Sequence, residues 1–193
     1  FFINGNAVFK HPLTSKIIIK DVITVEHPGF HFAKSSSAPF ERRSDSRAKV
    51  EYGQERKYVQ GAFYGAKYSA FCQMVEELDD LTEADLKENI VAVWHDESFL
   101  NHYVAVHDNI QILGWQYLKY EEYVMPYKPI IELRNKRKYL SMDNGRFQNR
   151  NNRFNMLILF LRNIKWGICI ALHIYKKCTI EDGMGNYIDF DIN

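Results

Sequence analysis

The chain has 193 residues, 46% hydrophobic and 25% charged, with 25 Lys and Arg against 24 Asp and Glu for a formal net charge of +1. That is enough chain for one sizeable core of ordinary soluble composition, and the near-neutral balance gives no reason to expect a nucleic-acid partner. Cys72, Cys169 and Cys178 are odd in number and widely spaced, which fits neither a disulfide framework nor a zinc site and points to reduced thiols in a cytosolic compartment.

From the amino end, Phe1-Phe2-Ile3 reads as the end of a buried strand, and Asn4-Gly5-Asn6 as a tight turn whose residues tolerate positive φ. No initiator Met or signal-peptide order precedes them, and an apolar strand without a partner would be a sticky edge, so earlier strands are expected to be missing. Lys16 to Val25 is rich in Ile and Val and predicts a strand, stopped by His27-Pro28-Gly29. Lys34 to Arg47 is Ser-rich and polar, carries Glu41-Arg42-Arg43, and predicts a loop long enough to be functional or mobile.

After Tyr58, the small residues Gly61, Ala62, Gly65 and Ala66 interleave with Phe63 and Tyr64, which suits a strand and turn that a ligand or backbone approaches closely. Phe71, Met74, Val75 and Leu78 then fall on one face of a helix, with Glu76, Glu77 and Asp79 on the other. Thr82 with Asp85 resembles a cap and predicts a further short helical piece.

Ile90-Val91-Ala92-Val93 predicts an apolar strand that ends in Trp94-His95-Asp96-Glu97-Ser98, followed by the apolar helix face Phe99, Leu100, Tyr103 and Val104. Two readings of Asp96 and Glu97 stand side by side. Acidic residues in a first helical turn are favoured by the helix dipole and by capping; ionisable groups at a strand end are also where open α/β sheets bind ligands.

Beyond Pro126 and Pro129, Ile130 to Leu133 predicts a short strand, and Arg134, Lys136, Arg137, Lys138, Arg146, Arg150 and Arg153 crowd into the segment that follows. That cluster suits a phosphate, a membrane surface or plain solvation. Residues 154–175 are strongly apolar but interrupted by Arg162, Asn163 and Lys165. They fall short of the ~20 mostly apolar residues of a spanning helix and suit an interfacial or docking helix instead. The expected boundary lies between a domain of residues 1–148 and a divergent tail of 149–193.

Taken in order, Phe2-Ile3-Asn4-Gly5-Asn6, His27-Pro28-Gly29-Phe30, Phe40-Glu41-Arg42-Arg43, Gly61-Ala62-Phe63-Tyr64-Gly65 and Trp94-His95-Asp96-Glu97-Ser98 resemble glycosyltransferase family 6. That family includes the blood-group A and B transferases, the α-1,3-galactosyltransferases and bacterial relatives. The resemblance covers roughly residues 1 to 140. It implies an α/β fold of GT-A type and retaining α-1,3 transfer of galactose or N-acetylgalactosamine from a UDP-sugar to a β-galactoside glycan.

Residue by residue, the resemblance makes Glu97 the carboxylate beneath the anomeric carbon, as nucleophile or as counter-charge to an oxocarbenium-like centre; either role needs it ionised. It assigns Asp96 to the donor sugar's hydroxyls, His27 and Trp94 to the acceptor, and Gln60, Gly61 and Ala62 to the donor, Ala62 leaning to galactose.

Three departures bear on the chemistry. Most animal relatives carry Asp-X-Asp, which holds Mn2+, where this chain has Asn4-Gly5-Asn6. Amides are feeble ligands for a hard divalent ion, so the resemblance is to a metal-independent bacterial branch with no cofactor, in which Asn4 and Asn6 meet the donor without metal. Lys136 and Lys138, with Arg134 as a lesser candidate, then meet the leaving diphosphate. Pro39 stands where relatives often have a hydroxyl residue, which opens the identity of the acceptor, and the strands expected to contact uridine are not in these residues. The partners implied are a UDP-sugar and a glycan or glycolipid, in the cytoplasm; peripheral membrane contact rests only on the apolar residues 154–175, for which a core helix or a read-through from a damaged gene end is the preferred reading. The alternative is an inactive carbohydrate-binding fragment.

Overall fold

The computed structural model describes residues 1–13, 17–31, 34–123 and 129–139, with short pieces at 160–161, 164, 179–181 and 187–189. The chain divides into two units, residues 1–4 with 14–117, and residues 5–13 with 118–193. The first unit holds strands β1 (Phe2–Ile3), β3 (Val22–Glu26), β4 (Val59–Ala66) and β5 (Ile110–Leu113), and helices α1 (Tyr68–Lys87) and α2 (Asp96–Val106). The second holds β2 (Ala7–Phe9), β6 (Leu118–Tyr120), β7 (Ile131–Leu133), the short helix α3 (Lys136–Tyr139) and the hairpin β8 (Thr179–Glu181) and β9 (Tyr187–Asp189). A mixed α/β architecture is thus present, as expected. The boundary expected at 148 and the apolar stretch 154–175 fall almost wholly outside the described residues. Among the described residues, no helix is long and apolar enough to cross a membrane.

The first unit's sheet runs in the order β1-β4-β3-β5, with β4 antiparallel to β1 and β3, and β5 parallel to β3. β3 starts at Val22, later than the strand expected from Lys16, and is buried at every position between its two neighbours. β1 lies at the sheet edge, which leaves Phe1 63% and Phe2 37% exposed, contrary to the buried strand end expected. Their rings stack on Phe63 and Tyr64 of β4, and the Phe1 ring fills the space where a side chain at Gly65 would lie. In the second unit the order is β2-β7-β6.

α1 is one helix of 20 residues, where two pieces were expected. No Gly or Pro interrupts it, and Thr82 does not cap a new helix, because its hydroxyl donates back to the Leu78 carbonyl at 2.7 Å. Met74 is fully buried with Val22, Val59, Leu100, Tyr103, Val104 and Ile110, while Val75 lies at the edge of the stripe, 43% exposed. Each fully buried aliphatic side chain of this core contributes about 1.5–3 kcal/mol. α2 carries Asp96 and Glu97 in its first turn, and the Arg56 guanidinium donates to the Val104 and His107 carbonyls at its other end. Both placements suit the helix dipole.

Two expectations for the approach to α2 are corrected. Ile90 to Val93 is not a strand. Its burial alternates as a strand's would, with Ile90 and Ala92 inside and Val91 and Val93 half exposed. Its backbone groups pair, however, with the Asp85 carbonyl, the His95 N–H and the side chains of Glu41 and Arg43. The polar loop that supplies those side chains is no loose excursion either: Ala38, Phe40, Glu41, Ser46, Ala48 and Val50 are all buried. Buried Asp85 of α1 accepts from the Ser46 hydroxyl at 2.7 Å and the Arg47 N–H at 2.8 Å. A Ser-rich composition reads as solvated, yet here short polar side chains satisfy buried groups that water would otherwise have to meet.

Candidate active site

The candidate centre forms where the first turn of α2 meets β4. Glu97 is half-buried; its Oε1 accepts from the Tyr58 hydroxyl at 2.9 Å and its Oε2 from the Gly61 N–H at 2.9 Å. Burial pushes its carboxyl above the ordinary glutamate value; the Gly61 N–H and Tyr58 hydroxyl pull the other way, and the Asp96 charge adds to the rise. Gly61 is glycine for a spatial reason, since a Cβ there would lie 3.3 Å from Glu97 Cβ and 3.4 Å from Oε2.

One helical turn further on, buried Asn101 ties α2 to the strand. Its Oδ1 accepts from the Val59 N–H at 2.9 Å, and its Nδ2 donates to the Val59 carbonyl at 3.0 Å and the Glu97 carbonyl at 2.8 Å. On the other side, His95 adopts φ 51° and ψ −126°, a conformation that costs a non-glycine residue about 1–3 kcal/mol. The turn is stitched by Trp94 N–H to Ser98 Oγ at 3.0 Å and Glu97 N–H to the Trp94 carbonyl at 3.1 Å.

Asp96 is exposed and borders a pocket of about 230 Å³ with Gly61, Tyr64, Asp79 and Thr82 at its polar parts and Leu78 and Phe99 among its apolar ones. Burial, then the Asp96 charge, raises the Tyr64 phenol above its ordinary value. Trp94 is 51% exposed. His27 packs against Phe30 and meets the Tyr58 ring edge-on at 5.8 Å. Its Nδ1 accepts from the Gly29 N–H at 3.0 Å, which assigns the proton of the neutral ring to Nε2. Tyr58 thus touches both His27 and Glu97.

The remaining expected residues behave differently. Ala62 is buried, its carbonyl taken by the Asn4 N–H at 3.0 Å, and it is not among the lining residues of the 230 Å³ pocket. Gln60 is also buried, with Oε1 unpartnered. In the second unit, Asn6 Nδ2 donates to the Arg134 carbonyl at 2.7 Å, and its Oδ1 is buried without a partner. Lys138 pairs with Glu121 at 2.8 Å, and Lys136 is exposed. Tyr58 and Asn101 were not singled out from the sequence as site residues. Asn101 carried a signal nonetheless, since it lies at i+4 from Glu97 and so on the same helix face.

Amide oxygens are weak ligands for a hard divalent ion that favours carboxylates, so Asn4 and Asn6 do not fit a Mn2+ site.

Comparison with known proteins agrees with the motifs. The model of glycosyltransferase family 6 matches residues 1–141. The chain is 38% identical over 104 residues to the O-antigen biosynthesis glycosyltransferase WbnI of Escherichia coli, covering 53% of this chain and 44% of that protein. It is 34% identical over 92 residues to the histo-blood group ABO system transferase 2 of Rattus norvegicus, covering 48% and 28%. With the globoside alpha-1,3-N-acetylgalactosaminyltransferase 1 of Gallus gallus it shares 31% over 98 residues, covering 51% and 29%. The matches thus span less than half the length of these curated relatives.

Proposed function

The chain belongs to glycosyltransferase family 6, and on that premise we propose that the protein is a retaining hexosyltransferase acting without a metal. It moves galactose or N-acetylgalactosamine from a UDP-sugar in α-1,3 linkage to a β-galactoside glycan. The observation that carries the reading is the seat of Glu97, a carboxylate held at both oxygens by neutral donors, Tyr58 and Gly61. Those bonds orient it and leave its negative charge uncompensated, which is what a carboxylate needs to face a developing positive centre.

In the covalent form of the reaction, a Glu97 oxygen bonds to the anomeric carbon as the bond to UDP breaks. The acceptor hydroxyl, giving its proton to the released UDP diphosphate, then displaces Glu97, and two inversions give net retention. In the ion-pair form the same charge stabilises the oxocarbenium-like centre on one face. Asp96, on the rim of the 230 Å³ pocket, takes donor hydroxyls. Trp94, half exposed, and His27 meet the acceptor. The leaving diphosphate calls for cations, for which we assign Lys136 and Lys138 of the basic segment.

The test is incubation of the intact protein with UDP-galactose or UDP-N-acetylgalactosamine, lactose and EDTA, with an α-linked trisaccharide as the expected product. Activity that vanishes with chelator and returns with Mn2+ overturns the metal-free reading. No transfer from either donor to any β-galactoside overturns the hexosyltransferase reading. The partial coverage of the relatives supports a second reading for these 193 residues taken alone: a sugar-binding fragment without turnover.

A further inference from the structure

Between α1 and α2 the chain runs from Glu88 to His95 without regular structure, yet it delivers Asp96 and Glu97 in one defined pose. Two of its backbone groups are met by side chains of the bracket 41–50. Glu41 Oε2 accepts from the Val93 N–H at 2.8 Å, and Arg43 Nη2 donates to the Val91 carbonyl at 2.6 Å. The two side chains are locked to each other, with Arg43 Nη2 2.9 Å from Glu41 Oε2 and Nε 3.2 Å from Oε1, while the Arg42 and Arg43 N–H groups also donate to Oε1. The bracket's far end is anchored on α1 through Asp85, Ser46 and Arg47.

From Val93 a short run of hydrogen bonds leads to the carboxylates: His95 N–H to the Ala92 carbonyl, Trp94 N–H to Ser98 Oγ, and Glu97 N–H to the Trp94 carbonyl. Within that run sits His95 in its left-handed conformation. A strained residue persists only where the structure fastens it from both sides. Downstream the fastening is Asn101 on Val59; upstream it is Glu41 with Arg43.

We propose that Glu41 and Arg43 are positioning residues for Asp96 and Glu97, acting through the Val91–Val93 backbone, so that their loss shifts the Glu97 carboxylate off the Gly61 N–H without unfolding the domain. The proposal rests on the reading of Glu97 as the reacting carboxylate only for its kinetic consequence; its structural consequence stands apart.

The experiment is site-resolved amide hydrogen exchange on the full chain, comparing Glu41→Gln and Arg43→Lys with the parent. Exchange at Gly61, whose N–H is held by Glu97, is expected to quicken in Glu41→Gln about tenfold or more beyond the change at Met74 in α1, a core amide that follows global stability. In the intact protein with UDP-galactose and lactose, kcat is expected to fall on the order of 10- to 100-fold with KM changed less than about twofold. Should Glu41→Gln not fold, Arg43→Lys is the deciding variant. The Arg43 side chain is 47% exposed, and Lys retains the charge while losing the fork that spans Glu41 and Val91. Unchanged Gly61 exchange, or equal acceleration at Gly61 and Met74, overturns the proposal. Full turnover in Glu97→Gln instead overturns the reading of Glu97 and leaves the exchange result to stand on its own.

Discussion

Two glutamates near the start of α2 sit in contrasting surroundings, and their carboxyls move in opposite directions. Burial works against ionisation of Glu41, but the Arg43 guanidinium and the N–H groups of Arg43 and Val93 hold it down at about 2. Glu97 is pushed up by burial and by Asp96, and its donors, Tyr58 and Gly61, are neutral. The first carboxylate has its charge cancelled by a partner and its lone pairs spent, which suits a structural clamp. The second is oriented without being neutralised, so its charge stays available to a substrate. A cationic partner therefore separates the holding carboxylate from the one we propose reacts, even though both are glutamates with N–H donors.

Four experiments break or sharpen that contrast, the largest effect first. Glu97→Gln keeps the shape and removes the charge, so kcat is expected to fall on the order of a thousandfold or more. Stability at neutral pH is expected to hold within about 1 kcal/mol, because the amide oxygen still accepts one of the two hydrogen bonds. Wild-type turnover in that variant would dissolve the contrast.

Glu41 is expected to show the reverse pattern. Its depression from 4.5 to about 2 corresponds to about 3 kcal/mol of folded-state stability. That contribution is complete above the ordinary glutamate value and is lost as pH falls from about 4.5 through about 2. Urea melts across that window are expected to slope steeply in the parent and less in Glu41→Gln, which is already less stable at neutral pH; equal slopes would contradict the assignment.

Gly61→Ala brings a Cβ to 3.3 Å from Glu97 Cβ, so the carboxylate must give way by a few tenths of an ångström. The expected cost is about tenfold in kcat with the melting temperature nearly held, and undiminished kcat would show that the seat tolerates slack. Tyr58→Phe removes one donor to Glu97, for which about fivefold in kcat is expected. Since that hydroxyl favours the ionised form, its loss moves the acid limb of the pH–rate profile to higher pH; a limb that stays put would remove Tyr58 from the site.

Much of the first unit was legible in the chain. The stripe Phe71, Met74 and Leu78 marked α1 because helical spacing and apolar burial coincide. The small residues of β4 signalled close approach, and both Gly61 and Gly65 are approached, by Glu97 and by Phe1. Asp96 and Glu97 do stand in the first turn of α2. Ile90 to Val93 misled because its strand-like alternation is real but its backbone pairs with local carbonyl and N–H groups and with side chains from some fifty residues earlier, not with a neighbouring strand. The Ser-rich bracket misled for the complementary reason, since its polarity is spent inward on Asp85 and Val93.

Residue types and their order by themselves determined the helix faces, the carboxylates at a helix start, the amides in place of a metal-binding pair and the family, because each is a local property of spacing or chemistry. Only the tertiary structure decided which glutamate is paired with a cation and which is held by neutral donors alone, that Tyr58 touches both His27 and Glu97, and that Asn101 pins α2 to Val59. Those depend on donors, charges and rings brought into contact from distant parts of the chain, and periodicity carries no record of such meetings.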